Sequence, residues 1–210
     1  MVRHLLPGVV IGLSCAATAF AADRSPTRLD VRPVVLTVAM AGGCRTNDTV
    51  VALAQSEATR VWSHADVTLR WVSVSELPYR ASLSEWVLVR CSDAHSGAAQ
   101  EPKIPIAAIR FVGGLPTNTI AVSIENAQTL LRREARERDP RTRFKPFLDI
   151  GLGRMLGRAI AHEIGHFLTQ SGEHTRSGLM RATHTVAALT GTSLRPFKVD
   201  DPPDDGVSQY

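Results

Sequence analysis

The fold of this chain turns on the stretch "AIAHEIGHFLTQSGEHTRSGLMRATH", from Ala159 to His184. Extended back to Phe147 and wound at about 100° per residue, it makes one long amphipathic helix. Leu148, Leu152, Met155, Leu156, Ala159, Ile160, Ile164 and Phe167 form an apolar arc, while Arg154, Arg158 and Gly165 are expected on the opposite side, toward water. His162 and His166 fall about 40° apart, one turn along, at one edge of that arc. They therefore stand at the border of core and cleft. Glycines 151, 153, 157 and 165 each cost on the order of 1 kcal/mol against alanine inside a helix, so something else must favour them, and close approach of a neighbouring element would do so.

In an H-E-x-x-H string on a helix, two imidazoles share one face and can hold one Zn²⁺ at Zn–N distances of roughly 2.1 Å. Glu163 lies beside them. A carboxylate there can take the proton of a zinc-bound water, whose pKa the metal lowers to near 7, and later return it to a leaving amine. A third ligand is needed, and "GEH" offers one: Gly172 is expected to end the helix with a positive φ, after which the chain brings His174 back. Glu173 is the rival, because a carboxylate completes some H-E-x-x-H sites. In thermolysin-like proteins that glutamate lies on a second helix much further along, which favours His174. His184 is expected at most as an outer-shell donor, and His64 and His95 read as surface histidines. "SGLMR" offers another tight turn, carrying Met180.

Over Ala159 to Arg181 the chain resembles the metzincin zinc metallopeptidases, and more closely a group of small exported bacterial metzincin-like proteins. The resemblance implies a three-histidine zinc site formed by His162, His166 and His174, a Met-turn at Met180 beneath it, and Glu163 as general base. The spacing departs from the commoner pattern H-E-x-x-H-x-x-G-x-x-H. Thr169 stands where its glycine would be and Gly172 where its third histidine would be; a two-residue insertion restores the order. Nothing resembles the family's cysteine-switch propeptide. Outside this stretch the likeness is architectural, with strand, helix, strands and a late active-site helix in the family's order.

Those earlier elements are legible in their own right. "PVVLTVAMA" reads as a β-branched strand closed by Gly42 and Gly43. From Asn47 or Asp48 as cap, Val51, Ala54, Ala58, Val61 and Trp62 recur at helical spacing. "VTLRWVSV" alternates with Val67, Leu69 and Trp71 on one side, and "EWVLVRCS", "IAAIRFV" and "NTIAVSI" make further strands. The segment Ser92 to Pro105 is expected to be an exposed, mobile loop. The fold class expected is thus α/β (α+β): a metzincin-like domain in which a mixed twisted sheet lies over a long active-site helix. It spans residues 22–198, between a signal peptide at 1–21 and a flexible acidic tail at 199–210.

The signal peptide is read from Arg3, an apolar run from Leu5 to about Cys15, and the Ala19-Phe20-Ala21 triplet, with cleavage after Ala21 or Ala22. As a membrane anchor the run is short and broken by Pro7, Gly8 and Gly12, where roughly 20 apolar residues are required. Removing it leaves Cys44 and Cys91, expected to pair in an oxidising compartment. With 44% hydrophobic and 21% charged residues in 210, the composition is that of a folded domain. The net charge of +4 becomes +3 without Arg3. Arginines 132, 133, 136, 138, 141 and 143 crowd one stretch, but Glu134, Glu137 and Asp139 interrupt them and aromatic interleaving is missing until Phe144. A solvated helix face is expected there, not a nucleic-acid surface.

The expected function is an exported zinc metalloendopeptidase, secreted or periplasmic, monomeric, and acting on a peptide or protein substrate. The alternatives are a non-catalytic exported zinc-binding module and a metal-free interaction domain with histidines at a cleft edge.

Overall fold

Alternation of β-branched residues and a well-formed helix cap set the first third of the fold. In the computed structural model, which describes residues 34–77, 86–91, 105–137 and 145–199, β1 (Val34–Met40) buries Leu36 and Val38 completely. Helix α1 (Asp48–Trp62) starts at Asn47, whose side chain accepts from the amide of Val50 at 2.8 Å. That bond satisfies one of the orphan donors at the helix start, and Asp48 complements the dipole. The buried stripe is Val50, Ala54, Glu57, Ala58, Val61 and Trp62, with Val51 only half-buried. A short 3₁₀ turn and Asp66 in the left-handed region, φ 55°, then reverse the chain into β2 (Val67–Ser73).

β2 runs parallel to β1, with Val34 beside Val67. β3 (Trp86–Cys91) pairs in parallel with the other side of β1. β4 (Ala107–Val112) and β5 (Leu115–Val122) form a hairpin whose turn, Gly113-Gly114, has φ of 60° and 83°. Both turn positions need the left-handed region, which only glycine enters without strain. β5 continues the sheet in parallel beside β3, so the five strands lie in the order β2-β1-β3-β5-β4, mostly parallel with β4 as an antiparallel edge. A disulfide between Cys44 and Cys91, Cα atoms 5.3 Å apart, ties the segment after β1 to the end of β3.

Three further helices complete the described chain: α2 (Ile124–Glu137), α3 (Lys145–Thr169) and α4 (Val186–Thr190). On α2, Arg132 and Arg133 are exposed, so this part of the basic stretch is a solvated face. Leu36, Val38, Leu69, Val87, Val89, Ile109, Ile120 and Val122 meet the apolar residues of α1 and α3 in one core cluster. The two helices approach closely because α3 presents glycine. A Cβ at Gly157 would run into the carbonyl oxygen of Ala54 and, at 2.7 Å, the Cβ of Glu57; one at Gly153 would strike Leu53. Any side chain at these positions would push the helices apart, and that loss of packing outweighs the helix propensity it would add.

Two expectations about α3 are corrected. Arg158 does not face water but has no exposed surface, and Gly165 is likewise buried. An amphipathic wheel assumes one wet side, whereas the middle of α3 packs against α1, against β4 and β5, and against the later segment with α4 and Phe197. Arg158 is accommodated by Glu57 of α1: its Nε donates to Oε1 at 2.7 Å, with Nη2 2.6 Å from the same oxygen. Nη1 donates to the carbonyl of Ala188, and the guanidinium lies 4.6 Å over the ring of Phe197. A buried arginine with this set of partners is compatible with the core.

The signal peptide, His95, most of the expected mobile loop (92–104) and the acidic tail from 200 onward lie outside the described residues. Among the described residues, no helix is long and apolar enough to cross a membrane.

Candidate metal centre

The last turns of α3 carry His162, Glu163 and His166, and backbone carbonyls from the following segment fix both imidazoles. Nδ1–H of His162 donates to the carbonyl of Leu179 at 2.8 Å, and Nδ1–H of His166 to that of Ser171 at 2.7 Å. A carbonyl can only accept, so both protons are assigned to Nδ1 and both Nε2 atoms present bare lone pairs. Those two Nε2 atoms lie 3.2 Å apart. Two lone pairs facing each other at that distance repel unless a cation stands against both. Nitrogen ligands about 2.1 Å from one tetrahedral ion would themselves be about 3.4 Å apart, so the pair is spaced for one metal.

His174 completes the group. Its ring stacks on His162 with centroids 5.3 Å apart and meets His166 edge-on at 4.9 Å. One ligand atom from each of His162, His166 and His174 lies within 4.8 Å of the others, so the three could bind a metal ion. Glu173 is not part of this group; it is exposed, and its amide donates to Ser171 Oγ.

The route to His174 differs from expectation. Gly172 does not end the helix. Gln170, with φ 52°, is the left-handed residue after Thr169, and the amide of Ser171 returns to the carbonyl of His166 at 3.3 Å. The side chain of Gln170 caps the carbonyl of Phe167, which offsets the cost of a non-glycine in this region. Gly172 instead lies against Phe111 of β4, where a Cβ would come 3.4 Å from the ring. Phe111 also meets His166 edge-on at 5.9 Å.

Met180 sits in a turn closed by Thr175 N–H to the Met180 carbonyl at 3.0 Å and Arg181 N–H to that of Gly178 at 3.3 Å. Its sulfur occupies the place where a Cβ of Gly165 would stand, between the turns that bear His162 and His166. Gly165 is therefore the space into which Met180 fits. On the next element, Trp62 donates through Nε1 to the carbonyl of Ala161 at 3.1 Å.

Glu163 is buried at 9% exposure, and its Oε2 accepts the amide of Ile109 from edge strand β4 at 2.8 Å. Burial pushes its carboxyl up to about 7, against the Ile109 bond, which lowers it. Burial likewise pushes His162 down to about 4, although the Leu179 carbonyl opposes this, and it lowers His166. Both imidazoles are thus neutral at pH 7, the form a metal requires.

His184 is half-buried. Its Nε2 lies 3.3 Å from the carbonyl of Leu179, and its ring rests on Phe197 at 4.6 Å. His64 is exposed and bonds locally to the carbonyl of Arg60. Residue types alone did not point to the carbonyls of Leu179 and Ser171 or the amide of Ile109. For the Glu57–Arg158 pair a signal existed, since Glu57 sits at helical spacing among Ala54, Ala58 and Val61. A cavity of ≈ 430 Å³ at the ends of β1 and β2, lined by Gly43, Cys44, Gln55 and Trp71 among others, shares no residue with the triad. Comparison with protein-family models, curated proteins and solved structures finds no match for this chain.

Proposed function

We propose that the chain is a zinc-dependent metallopeptidase of metzincin-like type, with His162, His166 and His174 as the ligands. The observation that carries this reading is the pair of Nε2 atoms 3.2 Å apart, on two rings whose Nδ1 atoms each face a backbone carbonyl, with a third imidazole against both rings. Three imidazole ligands suit zinc and would leave a fourth position for water. Bound there, the ion supplies a Lewis acid that brings a water's pKa near 7.

What the chain itself contributes is a base and its restraint. Glu163 is one residue from His162, is buried, and is oriented by the amide of Ile109. A carboxyl so placed can take a proton from a nucleophile and deliver it to a leaving amine at neutral pH. β4 is the sheet edge beside this carboxylate, and an extended peptide adding to that edge would bring its backbone to Glu163. Export by residues 1–21 and action as a monomer on peptide or protein belong to the same proposal.

Metal analysis of the mature protein, followed by peptide cleavage with and without a chelator, tests the reading. We expect about one zinc per chain and cleavage that the chelator abolishes. Glu163→Ala should keep the metal and lose turnover. Zinc without cleavage would replace the peptidase with a non-catalytic zinc module, and a protein that binds no metal would leave only an interaction domain.

A further inference from the structure

The carbonyl of Leu179 is shared. It accepts Nδ1–H of His162 at 2.8 Å and faces Nε2 of His184 at 3.3 Å. Because a carbonyl only accepts, the proton of His184 is on Nε2. The amide on the other side of the same residue donates to the carbonyl of Lys198 at 2.8 Å, and the Leu179 side chain is completely buried. The peptide groups of Leu179 are therefore held by three partners, one of which is the candidate ligand His162.

His184 is itself held. Its ring rests on Phe197 at 4.6 Å, and Phe197 also lies under the guanidinium of Arg158, which is anchored by Glu57 and by the carbonyl of Ala188. Arg158 precedes His162 by one turn of α3. A closed path thus runs from α3 through Arg158, Phe197, His184 and the Leu179 carbonyl back to α3 at His162. Outer partners of this kind fix the tautomer and ring orientation of a metal-binding histidine, and their loss commonly weakens metal affinity by about 10- to 100-fold.

We propose that His184 is a positioning residue for His162: its Nε2–H holds the Leu179 carbonyl in the direction that keeps the His162 proton on Nδ1 and its Nε2 lone pair aimed into the three-histidine group. The inference rests on the metal-centre reading for its functional meaning, but not for its first test. With His184 in place, the carbonyl has both lone-pair directions occupied by ring N–H groups and cannot turn away. Without it, the carbonyl keeps the bond from His162 itself, the Lys198 bond being made by the preceding peptide group, so nothing independent of His162 among the described hydrogen bonds fixes its direction and His162 gains access to the other tautomer.

Two variants separate the donor from the ring. His184→Phe keeps an aromatic face on Phe197 and removes the N–H; His184→Gln removes the aromatic ring and keeps an amide donor at a similar reach. In metal-free protein, imidazole ¹⁵N shifts report the tautomer of each histidine. We expect wild type and His184→Gln to hold His162 as the Nδ1–H tautomer and His184→Phe to show a mixture. Zinc affinity, by competition with a chromogenic chelator, should fall roughly tenfold or more in His184→Phe. It should stay near the wild-type value in His184→Gln, and the absorption of the cobalt(II)-substituted protein should change only in His184→Phe.

An unaltered His162 tautomer in His184→Phe overturns the proposal, whatever the metal does. So does a His184→Gln variant that behaves like His184→Phe, since the ring and not the donor would then matter. If wild type binds neither zinc nor cobalt while the tautomers differ as expected, the metal centre fails and the positioning of His162 by His184 stands.

Discussion

Glu57→Gln removes one negative charge from the interior while keeping the side chain's size and an acceptor oxygen. Arg158 has no exposed surface and the Glu57 side chain is 7% exposed, so the lost charge is not replaced by water. Arg158 would keep the Ala188 carbonyl and the face of Phe197, neither of which neutralises a guanidinium. Leaving one member of a buried pair uncompensated costs about 3–5 kcal/mol, and retention of an acceptor places this case near the lower bound. At about 2–4 °C per kcal/mol for a chain of this size, the melting temperature should fall by on the order of 10 °C. Arg158→Met should cost less, because Glu57 keeps Arg60, whose Nη2 is 2.7 Å away and which is 46% exposed. The double variant Glu57→Leu with Arg158→Met should recover most of the Glu57→Gln loss, since an apolar pair of similar volume often replaces a buried ion pair without penalty. Urea unfolding of metal-free protein with the disulfide intact measures all three, with an unchanged slope as the condition for comparing midpoints. A Glu57→Gln loss below about 1 kcal/mol, or a double variant less stable than Glu57→Gln, would refute the buried pair.

Gly157→Ala should destabilise more than Gly165→Ala in the same unfolding assay. The first drives a methyl into the backbone of Ala54, whereas the second displaces the flexible end of Met180. Zinc affinity should show the reverse order, and equal stability losses would contradict the packing argument. Replacing both Cys44 and Cys91 with serine opens a closure of 47 residues and should lower stability by about 4 kcal/mol, the chain-entropy value for that loop; a loss under about 1 kcal/mol would mean the unfolded chain is constrained some other way. In the metal-free protein, Glu163 and His162 should pull the stability profile in opposite directions between pH 4.5 and 6.5, with His166 and His184, also lowered by burial, acting in the same direction as His162. Glu163, raised to about 7, holds a proton that the unfolded chain has released, so its contribution falls as pH rises from 4.5 to 7. His162, lowered to about 4, releases one that the unfolded chain holds, so its contribution is lost as pH falls from 6.5 to 4. Glu163→Gln removes the first slope, so the variant should be the more stable at pH 7–8 and should lose stability more steeply in acid. Parallel profiles for wild type and variant would show that Glu163 is not buried as a titrating group.

Most individual strands and helices were legible because their cause is local. The β-branched run of β1 and the Asn47 cap of α1 each fix their element within a few residues, whereas the strand order and the Gly113-Gly114 hairpin turn were not read. What failed were judgements of which side of a helix is wet. Arg158 and Gly165 read as solvent-facing on a wheel because the wheel cannot know that a later segment returns over α3. That segment, with Leu179, α4 and Phe197, lies at most 39 positions beyond Arg158 and carries little periodicity of its own. The glycines were read correctly as a sign of close approach, yet which neighbour approached depended on topology: Ala54 at Gly157, Met180 at Gly165.

For the candidate site the division falls between residue types and backbone groups. His162, His166 and His174 could be named from spacing, because metal-binding chemistry belongs to side chains and H-E-x-x-H places two of them by helix geometry alone. The exact turn that returns His174 could not, since Gln170 enters the left-handed region against its ordinary preference, with Gly172 available two residues on. Every residue except proline carries the same N–H and every residue the same C=O, so no letter marks Leu179 and Ser171 as the acceptors that set two tautomers, or Ile109 as the donor to Glu163. Yet those three backbone groups decide which nitrogen of each histidine is bare and where the carboxylate is held. The readable letters specify which atoms are capable of the chemistry; their orientation is a property of the packed chain, and it is there that substitutions outside the triad, at Gly165 or His184, should act on it.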